Sequence, residues 1–185
     1  MANAGVTADL QCAAQILAEG GLVAHATEGV WGIACDPFRV ESVQRLLRAK
    51  QRAASMGLIV IAADPEAFAE ELALLREDQR QEVLNSWPGP NTWVLPTSRF
   101  PEHVTGGRET QACRVPDHAQ ARALCATFGG PLVSTSANKH GEPAPLTEQQ
   151  ARAQIGALVD MVLPGEVGLR GQASTIRTLD GEQLR

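Results

Sequence analysis

Ser134-Thr135-Ser136-Ala137-Asn138 follows directly on the apolar stretch Gly129-Gly130-Pro131-Leu132-Val133. The apolar stretch predicts a short strand, and the five residues after it place three hydroxyls and a carboxamide at the strand's end. Such groups are left unsatisfied when they are buried without partners, whereas many short donors and acceptors suit a polar ligand. Because Ser and Asn are also ordinary turn residues, this stretch alone leaves open a polar turn or a ligand site.

A second segment of similar chemistry lies far upstream, at His25-Ala26-Thr27-Glu28-Gly29-Val30-Trp31-Gly32. It also follows an apolar run, Gly21-Leu22-Val23-Ala24. Its two glycines permit a positive φ and a close approach of the backbone to a ligand. The repetition of this pattern favours a ligand site over two unrelated turns.

A helical pattern ends in two basic residues between these segments. Residues 40–49 predict a helix because Val43, Leu46 and Leu47 share one face at i, i+3, i+4 spacing. Lys50 and Arg52 follow, in a chain with two lysines and fourteen arginines. Basic residues in a last turn can simply favour the helix dipole. The alternative is that a point charge and a planar fork bind one anion.

Six short motifs follow one another between Gly21 and Arg177. In chain order they are H-A-T-E-G-V-W-G from His25, K-Q-R-A from Lys50, W-P-G-P-N-T from Trp87, R-V-P from Arg114, S-T-S-A-N from Ser134 and S-T-I-R from Ser174. One such motif would be weak evidence, but the six in this order resemble the YrdC/TsaC family, the threonylcarbamoyl-AMP synthases. The resemblance covers nearly the whole chain.

Three positions depart from the pattern of that family. His25 stands where the family usually has Tyr, and Ala26 and Ala53 stand where it usually has Pro. The missing prolines should loosen the loops around Thr27 and Arg52, because Pro restricts φ in advance. His25 could stack on or hydrogen-bond a substrate and make binding pH-sensitive. The alternative is a partly buried histidine at the end of a strand.

The resemblance implies that L-threonine, bicarbonate and ATP give threonylcarbamoyl-AMP and pyrophosphate, for the threonylcarbamoyl modification of the adenosine beside the tRNA anticodon. Carbamate and ATP are both anions, so the site must offset their repulsion by positioning and charge stabilisation. The resemblance predicts Lys50 and Arg52 as the catalytic residues that bind bicarbonate, carbamate and phosphate charge. The predicted binding residues are Thr27, Ser136 and Asn138 for the small substrates, Ser134 and Ser174 near the nucleotide, Arg114 and Arg177 for phosphates, and His25.

ATP is expected as a substrate although the usual phosphate-binding loop, G-x-x-x-x-G-K-[ST], is absent from the sequence. Mg²⁺ is expected with ATP, but no carboxylate cluster identifies its protein ligands. Glu28 is the nearest candidate, and a structural role in bracing the motif loop is an equally open interpretation.

Length and composition predict one globular domain over residues 1–185, with 44% hydrophobic and 20% charged residues. No apolar run approaches the length of a membrane span, and no leader pattern opens the chain. The four cysteines have no C-x-x-C spacing, which predicts reduced core thiols in a cytoplasm. Since no extension follows Arg185, we expect the single-domain form of the family.

The net charge of −5 argues against a broad nucleic-acid-binding face. It leaves room for a local basic concavity built from Arg45, Arg48, Lys50, Arg52 and Arg114. Two alternatives to the synthase therefore stay open: a ribosome-maturation module that binds tRNA or double-stranded RNA, and a carbamoyl-transfer paralogue with another acceptor. The expected partners of a synthase are its three substrates and the downstream proteins that transfer threonylcarbamoyl to tRNA.

Alternating strand and helix patterns predict an α/β fold. The expected helices begin at Thr7 or Asp9, at 40, at 64, at 76, at 117 through an Asp117/Gln120 capping box and at 147 through a Thr147/Gln150 capping box. The expected strands lie near 22–25, 57–62, 92–95, 112–115, 131–134, 159–163 and 173–178, and 100–108 is expected to be a polar loop. Asp180-Gly181 predicts a hairpin turn and hence a mixed sheet. The resemblance implies a YrdC-like open, twisted mixed sheet with flanking helices and a concave active site.

Overall fold

The computed structural model describes residues 2–138 and 141–184. Its strands are β1 (Val23–Ala26), β2 (Trp31–Cys35), β3 (Ile59–Ile61), β4 (Asn91–Pro96), β5 (Thr110–Arg114), β6 (Leu132–Ser136), β7 (Met161–Val162) and β8 (Thr175–Thr178). They form one sheet in the order β7-β1-β2-β6-β3-β5-β4-β8. The pairs β1–β7, β3–β5 and β4–β8 are parallel and the others antiparallel. The predicted mixed α/β fold is confirmed.

The helices are α1 (Ala2–Ala18), α2 (Val40–Lys50), α3 (Ala69–Ala73), α4 (Glu77–Asn85), α5 (Glu102–Thr105), α6 (Ala119–Phe128) and α7 (Glu148–Ile155), with 3-10 turns at Ala54–Met56 and Pro65–Phe68. Within the described ranges, none of them combines the length and the apolar composition needed to cross a bilayer.

Side chains alternate between the two faces of the sheet along each strand. Different elements cover the two faces. One face packs against α2 and α7 and the segments between β3 and β5, with Ile33, Val60 and Cys113 among its buried residues. The other packs against α1 and α6 through Val23 and Leu132. The rest of this second face lines a cavity, so the helices on that side leave room for a site.

Helix α2 is positioned by the apolar face that its sequence predicted. Val43, Leu46 and Leu47 are all buried. The helix ends where Gln51 adopts a left-handed φ of 50° and the Arg52 amide donates to the Leu47 carbonyl. This turn buries Lys50 at the helix end and directs the chain at Arg52 toward the cavity.

The capping prediction for α7 is confirmed, and that for α6 is wrong by one residue. Thr147 Oγ1 accepts the Gln150 amide at the start of α7. At α6 the cap is His118, whose Nδ1 accepts the Ala121 amide. The Asp117 amide instead donates to Glu28 Oε1 over 3.1 Å, so a tertiary contact replaces the local capping box.

Three further predictions need correction. Strand β2 is missing from the expected strands, because the small residues between Trp31 and Cys35 conceal its pattern, yet all five of its residues are buried. Helix α1 begins at Ala2 rather than at Thr7 or Asp9. The expected polar loop at 100–108 contains α5. The predicted turn at Asp180-Gly181 is confirmed by the antiparallel bridge between Arg177 and Gln183.

Candidate functional site

The cavity on the second face of the sheet has a volume of about 290 Å³. Six of the residues predicted from the motifs line it, and they come from both halves of the chain: Thr27, Arg52, Arg114, Ser134, Ser136 and Ser174. Apolar side chains of the central strands, such as Ile59 and Ile61, form much of the rest. The fold therefore gathers distant polar motifs around one apolar floor.

Strand alternation explains why the serines of the S-T-S-A-N motif reach this cavity. Ser134 and Ser136 are two residues apart on β6, so both point to the cavity side. Gly32 pairs with Ser136 across β2 and β6 and also lines the cavity. Since Gly32 has no side chain, the space above the two hydroxyls stays open.

Lys50 is buried and holds the turn that follows β6. Its Nζ donates to the Asn138 carbonyl over 2.6 Å and to Asn138 Oδ1 over 2.9 Å, and it also donates to the Ser136 carbonyl. Burial, with a smaller contribution from the Arg52 charge, lowers the pKa of Lys50 to about 8. Lys50 is therefore a cation that is bound by neutral oxygens, not by a carboxylate, in the described part of the chain.

Arg52 lines the cavity, whereas Lys50 is not among the residues that line it. Arg52 Nη2 donates to the Gly57 carbonyl over 2.9 Å. Its Nε is buried without a hydrogen-bond partner among the described residues, and burial lowers the pKa of its guanidinium. No described carboxylate pairs with Arg52, so an anion in the cavity would meet uncompensated positive charge.

Arg108 also lines the cavity, and the motifs did not indicate it. Its Nη1 donates to the Thr105 carbonyl over 3.1 Å. The residue lies in a segment that was expected to be an ordinary polar loop, and nothing in its spacing distinguishes it from the other arginines. Only the tertiary structure identifies it as a third cation of the site.

Arg114 differs from these cations because it has a carboxylate partner. Its Nη2 forms a buried ion pair with Glu28 Oε1, and its Nε donates to the Gly89 carbonyl over 3.0 Å. Burial lowers the pKa of Arg114, and the Glu28 charge opposes that shift. Glu28 thus braces Arg114 and the Asp117 amide, which favours the structural interpretation of this glutamate.

Thr27 lines the cavity while its hydroxyl holds the first motif loop in shape. Thr27 Oγ1 donates to the Val30 carbonyl over 2.7 Å and accepts the Gly29 and Val30 amides at 3.3 Å. Segment 168–172 lies against this loop: the Gly168 amide donates to the Thr27 carbonyl. A Cβ on Gly29 would come within 1.9 Å of the Gln172 carbonyl oxygen, so only glycine fits there.

Ser174 lies at the opposite wall, where the last motif enters the sheet. It is buried, and Thr92 Oγ1 donates to its Oγ over 2.8 Å. Thr92 belongs to the W-P-G-P-N-T motif, so two motifs meet at this contact. This hydrogen bond holds the W-P-G-P-N-T and S-T-I-R motifs together at one wall of the cavity.

Arg177 and the basic residues of α2 are not brought to the cavity. Ile176 lines the cavity, so its neighbour Arg177 points to the other face, where it pairs in register with the buried Trp93. Arg45 forms an ion pair with Asp160 at 2.6 Å, and Arg48 is exposed. The expected basic concavity therefore lacks Arg45 and Arg48, and Arg177 does not close over it.

Asn138 lies beside the cavity rather than among the residues that line it. Its Oδ1 accepts from Lys50 and its Nδ2 donates to the Glu142 carbonyl over 2.6 Å. The carboxamide therefore helps to shape the turn after β6.

His25 is fully buried on β1, not partly buried as expected. Its Nε2 lies 3.1 Å from Ser134 Oγ, and its Nδ1 lies 3.1 Å from the Ala26 carbonyl oxygen. Burial lowers the pKa of His25 to about 4. The ring is therefore neutral at physiological pH. His25 does not line the cavity, and Ser134 connects it to the cavity wall.

The described carboxylate and histidine side chains near the cavity do not form a metal site. Among the described residues, no group of three or more His, Cys, Asp or Glu side chains could hold a metal ion. Glu28 Oε1 is occupied by Arg114 and the Asp117 amide, which leaves Oε2 without a partner in the described structure. One carboxylate oxygen does not form a magnesium cage, so a resident ion does not fit these residues.

Comparison with known proteins identifies the family. Residues 15–185 match the model of the Sua5/YciO/YrdC family, which is described as "Telomere recombination". The chain belongs to this family. A threonylcarbamoyl-AMP synthase of Vibrio vulnificus strain YJ016 is 43% identical over 182 residues, covering 97% of this chain and 98% of that protein. A threonylcarbamoyl-AMP synthase of Xanthomonas euvesicatoria is 41% identical over 181 residues, covering 96% and 97%.

Solved structures of the family agree with the fold. P. abyssi Sua5 complexed with L-threonine matches with a TM-score of 0.89 and 30% identity over 95% of this chain. The match covers 53% of that protein, so this chain spans about half of its length. E. coli YciO matches with a TM-score of 0.81 at 21% identity, over 95% of this chain and 89% of that one. The YrdC-like fold and the family resemblance are both confirmed.

Proposed function

We propose that this chain is a nucleotidyltransferase that converts L-threonine, bicarbonate and ATP into threonylcarbamoyl-AMP and pyrophosphate. The observation that carries the proposal is the convergence of the predicted motifs on one cavity, which Arg52 lines without a described carboxylate partner. Lys50, which also lacks a described carboxylate partner, holds the turn after β6 that carries Ser136. Relatives that bear the name threonylcarbamoyl-AMP synthase cover nearly the whole chain, which supports the same activity.

The reaction needs two bond-forming steps. Bicarbonate loses hydroxide to give CO2, and the threonine amine attacks the CO2 carbon to form the C–N bond of a carbamate. The proton that the amine loses combines with the hydroxide and leaves as water. A carbamate oxygen then attacks the α-phosphorus of ATP, and the bond from that phosphorus to the bridging oxygen of the β-phosphate breaks. Pyrophosphate leaves with that oxygen, so atoms and charge balance. Both reactants are anionic, and catalysis depends on positioning them against fixed positive charge.

Lys50 and Arg52 supply that charge in different ways. The three Lys50 donors are used by Ser136 and Asn138, so the ammonium acts on the anions through its charge and through the turn it shapes. Arg52 lines the cavity and pairs with no described carboxylate, so its guanidinium would donate directly to a carbamate or phosphate oxygen. The hydroxyls of Ser134, Ser136 and Ser174 would contact the polar groups of threonine and the nucleotide. The Thr27 hydroxyl is used within its own loop, so Thr27 would shape the cavity wall instead.

ATP would enter with its own Mg²⁺ as part of the substrate complex. Because the described residues offer no carboxylate cluster, the phosphates and water would be the main ligands of the ion. Glu28 Oε2 is a buried carboxylate oxygen without a described partner. The Glu28 carboxylate already neutralises the charge of Arg114, so Arg114 would attract a phosphate less strongly than an unpaired arginine would.

The test is pyrophosphate release from ATP, with L-threonine and bicarbonate left out in turn. We expect release to require both substrates and to fall about 100-fold in Arg52→Ala, as for loss of an electrostatic donor in a transition state. The matched control is Arg48→Ala, one turn earlier on α2, exposed and outside the cavity. If pyrophosphate is released at the same rate without L-threonine, this proposal is wrong and the chain transfers the nucleotide to another acceptor.

The product would pass to proteins that transfer threonylcarbamoyl to tRNA, in the cytoplasm. The four free thiols support a reducing compartment. We propose one YrdC-like domain over residues 1–185, because the eight strands found in the described residues belong to one sheet. Direct binding of tRNA or double-stranded RNA has weaker support, since Arg45 is paired with Asp160 and the net charge is −5.

A further inference from the structure

His25 contacts Ser134 across an intervening strand. His25 is on β1 and Ser134 on β6, and β2 runs between them. The contact passes over Gly32: a Cβ at that position would lie 3.2 Å from His25 Nε2 and 3.0 Å from Ser134 Oγ. A side chain on β2 would crowd the two groups. The absence of a side chain at Gly32 therefore allows a buried imidazole to reach a hydroxyl of the cavity wall.

The partners of the His25 ring determine which nitrogen carries the proton. Nδ1 faces the Ala26 carbonyl oxygen at 3.1 Å, and a carbonyl can only accept, so Nδ1 must donate. The ring is neutral, because burial lowers the pKa of His25 to about 4, and a neutral ring has one N–H. Nε2 therefore has a bare lone pair. The Ser134 hydroxyl, 3.1 Å away, donates its proton to that lone pair.

We propose that His25 is a positioning residue that fixes the Ser134 hydroxyl as a hydrogen-bond acceptor toward the cavity, where it receives an N–H or O–H group of the ligand. The hydroxyl has one proton, and the imidazole uses it, so only oxygen lone pairs remain for the ligand. Carboxylate and phosphate oxygens are disfavoured at this position, and ammonium, amino and hydroxyl groups are favoured. The inference rests on the proposed function, in which either L-threonine or the nucleotide carries that donor.

The tautomer can be measured directly on the unmodified protein. Long-range ¹H–¹⁵N spectra of the imidazoles between pH 6 and 8 should show His25 with a protonated Nδ1 and a bare Nε2, unchanged over the range. A protonated Nε2 would overturn the proposal, since the ring would then donate to Ser134 and free the hydroxyl proton for the ligand. A doubly protonated ring would overturn it as well. This measurement does not depend on any variant folding.

A double-mutant cycle tests whether His25 acts through Ser134. The dissociation constants of L-threonine and of ATP are measured by calorimetry for the wild type, His25→Phe, Ser134→Ala and the double variant. We expect each single variant to weaken one of the two ligands about tenfold, a typical loss for one hydrogen bond. The double variant should bind that ligand no more weakly than Ser134→Ala. Which ligand weakens identifies the source of the donor.

Additive losses in the cycle, or equal losses for both ligands, would mean that His25→Phe perturbs the cavity generally and would overturn the proposal. His103→Phe is the matched control, because His103 bonds the Pro37 carbonyl and does not line the cavity; it should leave both affinities unchanged. His25→Gln, which offers an amide oxygen as an acceptor, should recover most of the lost affinity. If the wild type binds neither ligand, the proposed function fails, whatever the tautomer of His25.

Discussion

The Lys50 ammonium donates a hydrogen bond to Asn138 Oδ1 over 2.9 Å, between residues 88 positions apart in the chain. The contact joins the end of α2 to the turn after β6, and so joins the K-Q-R-A motif to the S-T-S-A-N motif. Lys50 thereby fixes the backbone next to Ser136 while its charge remains uncompensated by any described carboxylate. Lys50 thus holds the turn after β6 and places a positive charge beside it.

Lys50→Met should impair both stability and turnover. The variant keeps the length of the side chain but leaves the Ser136 and Asn138 carbonyls without their donor, at a cost of about 1–3 kcal/mol in the free energy of unfolding. Pyrophosphate release should fall about 100-fold, because the turn that carries the substrate contacts is displaced. Urea denaturation and the release assay measure the two effects. Unchanged turnover in a folded variant would contradict this role.

The alkaline limb of the activity profile should report Lys50. Its pKa is lowered to about 8 by burial and by the Arg52 charge, so the ammonium loses its proton as the pH rises through that value. We expect kcat/KM to decline above about pH 8. Lys50→Arg keeps a charge that does not titrate in this range, so a folded Lys50→Arg variant should lack this decline even if its activity is lower. An identical alkaline limb in both proteins would assign it to another group.

Acid should destabilise the wild type through His25. The folded-state pKa is about 4, below the unfolded value near 6.5, so between these values the unfolded chain binds more protons. The stability contributed by the neutral ring is present above about pH 6.5 and is lost as the pH falls toward 4. Relative to His25→Phe, we expect the unfolding free energy to fall by on the order of 3 kcal/mol over this range. Parallel pH dependence of the two proteins in urea denaturation would refute this prediction.

Gly29→Ala should disrupt the contact between the first motif loop and segment 168–172. The new Cβ would lie 1.9 Å from the Gln172 carbonyl oxygen, so the backbone of one segment must move. We expect a loss of about 1–3 kcal/mol of stability and weaker binding of L-threonine. Gly130→Ala is the control, because its Cβ would meet only Phe128 at 3.9 Å. Thermal unfolding and calorimetry distinguish the two variants.

The four thiols should differ sharply in reactivity. Cys12 is exposed, whereas Cys35, Cys113 and Cys125 are buried, and burial raises the pKa of each of these three thiols. Since the thiolate is the reactive form, a thiol reagent at pH 8 should label Cys12 alone in the native protein and all four cysteines in urea. Rapid labelling of a second native thiol would show that the buried face opens.

Local patterns predicted much of the fold. The spacing of Val43, Leu46 and Leu47 specified α2, and the Thr147/Gln150 box specified the start of α7, because both signals act within one or two turns. Strand β2 gave no such signal, since its small residues do not form a clear alternation of apolar and polar side chains. At Asp117 a capping pattern was present, but the contact with Glu28 from a distant loop used its amide instead.

The sequence by itself determined the family and indicated six of the residues that line the cavity, because the motifs carry hydroxyls and charges whose chemistry is readable without coordinates. It could not determine which of them face the cavity. Strand parity directs Ser134 and Ser136 inward and Arg177 away, and the pairing of Arg114 with Glu28 compensates one predicted cation. Arg108 and the His25–Ser134 contact involve distant segments that only the folded sheet brings together. Burial then sets the protonation of Lys50 and His25, which depends on the whole environment of each group rather than on its neighbours in sequence.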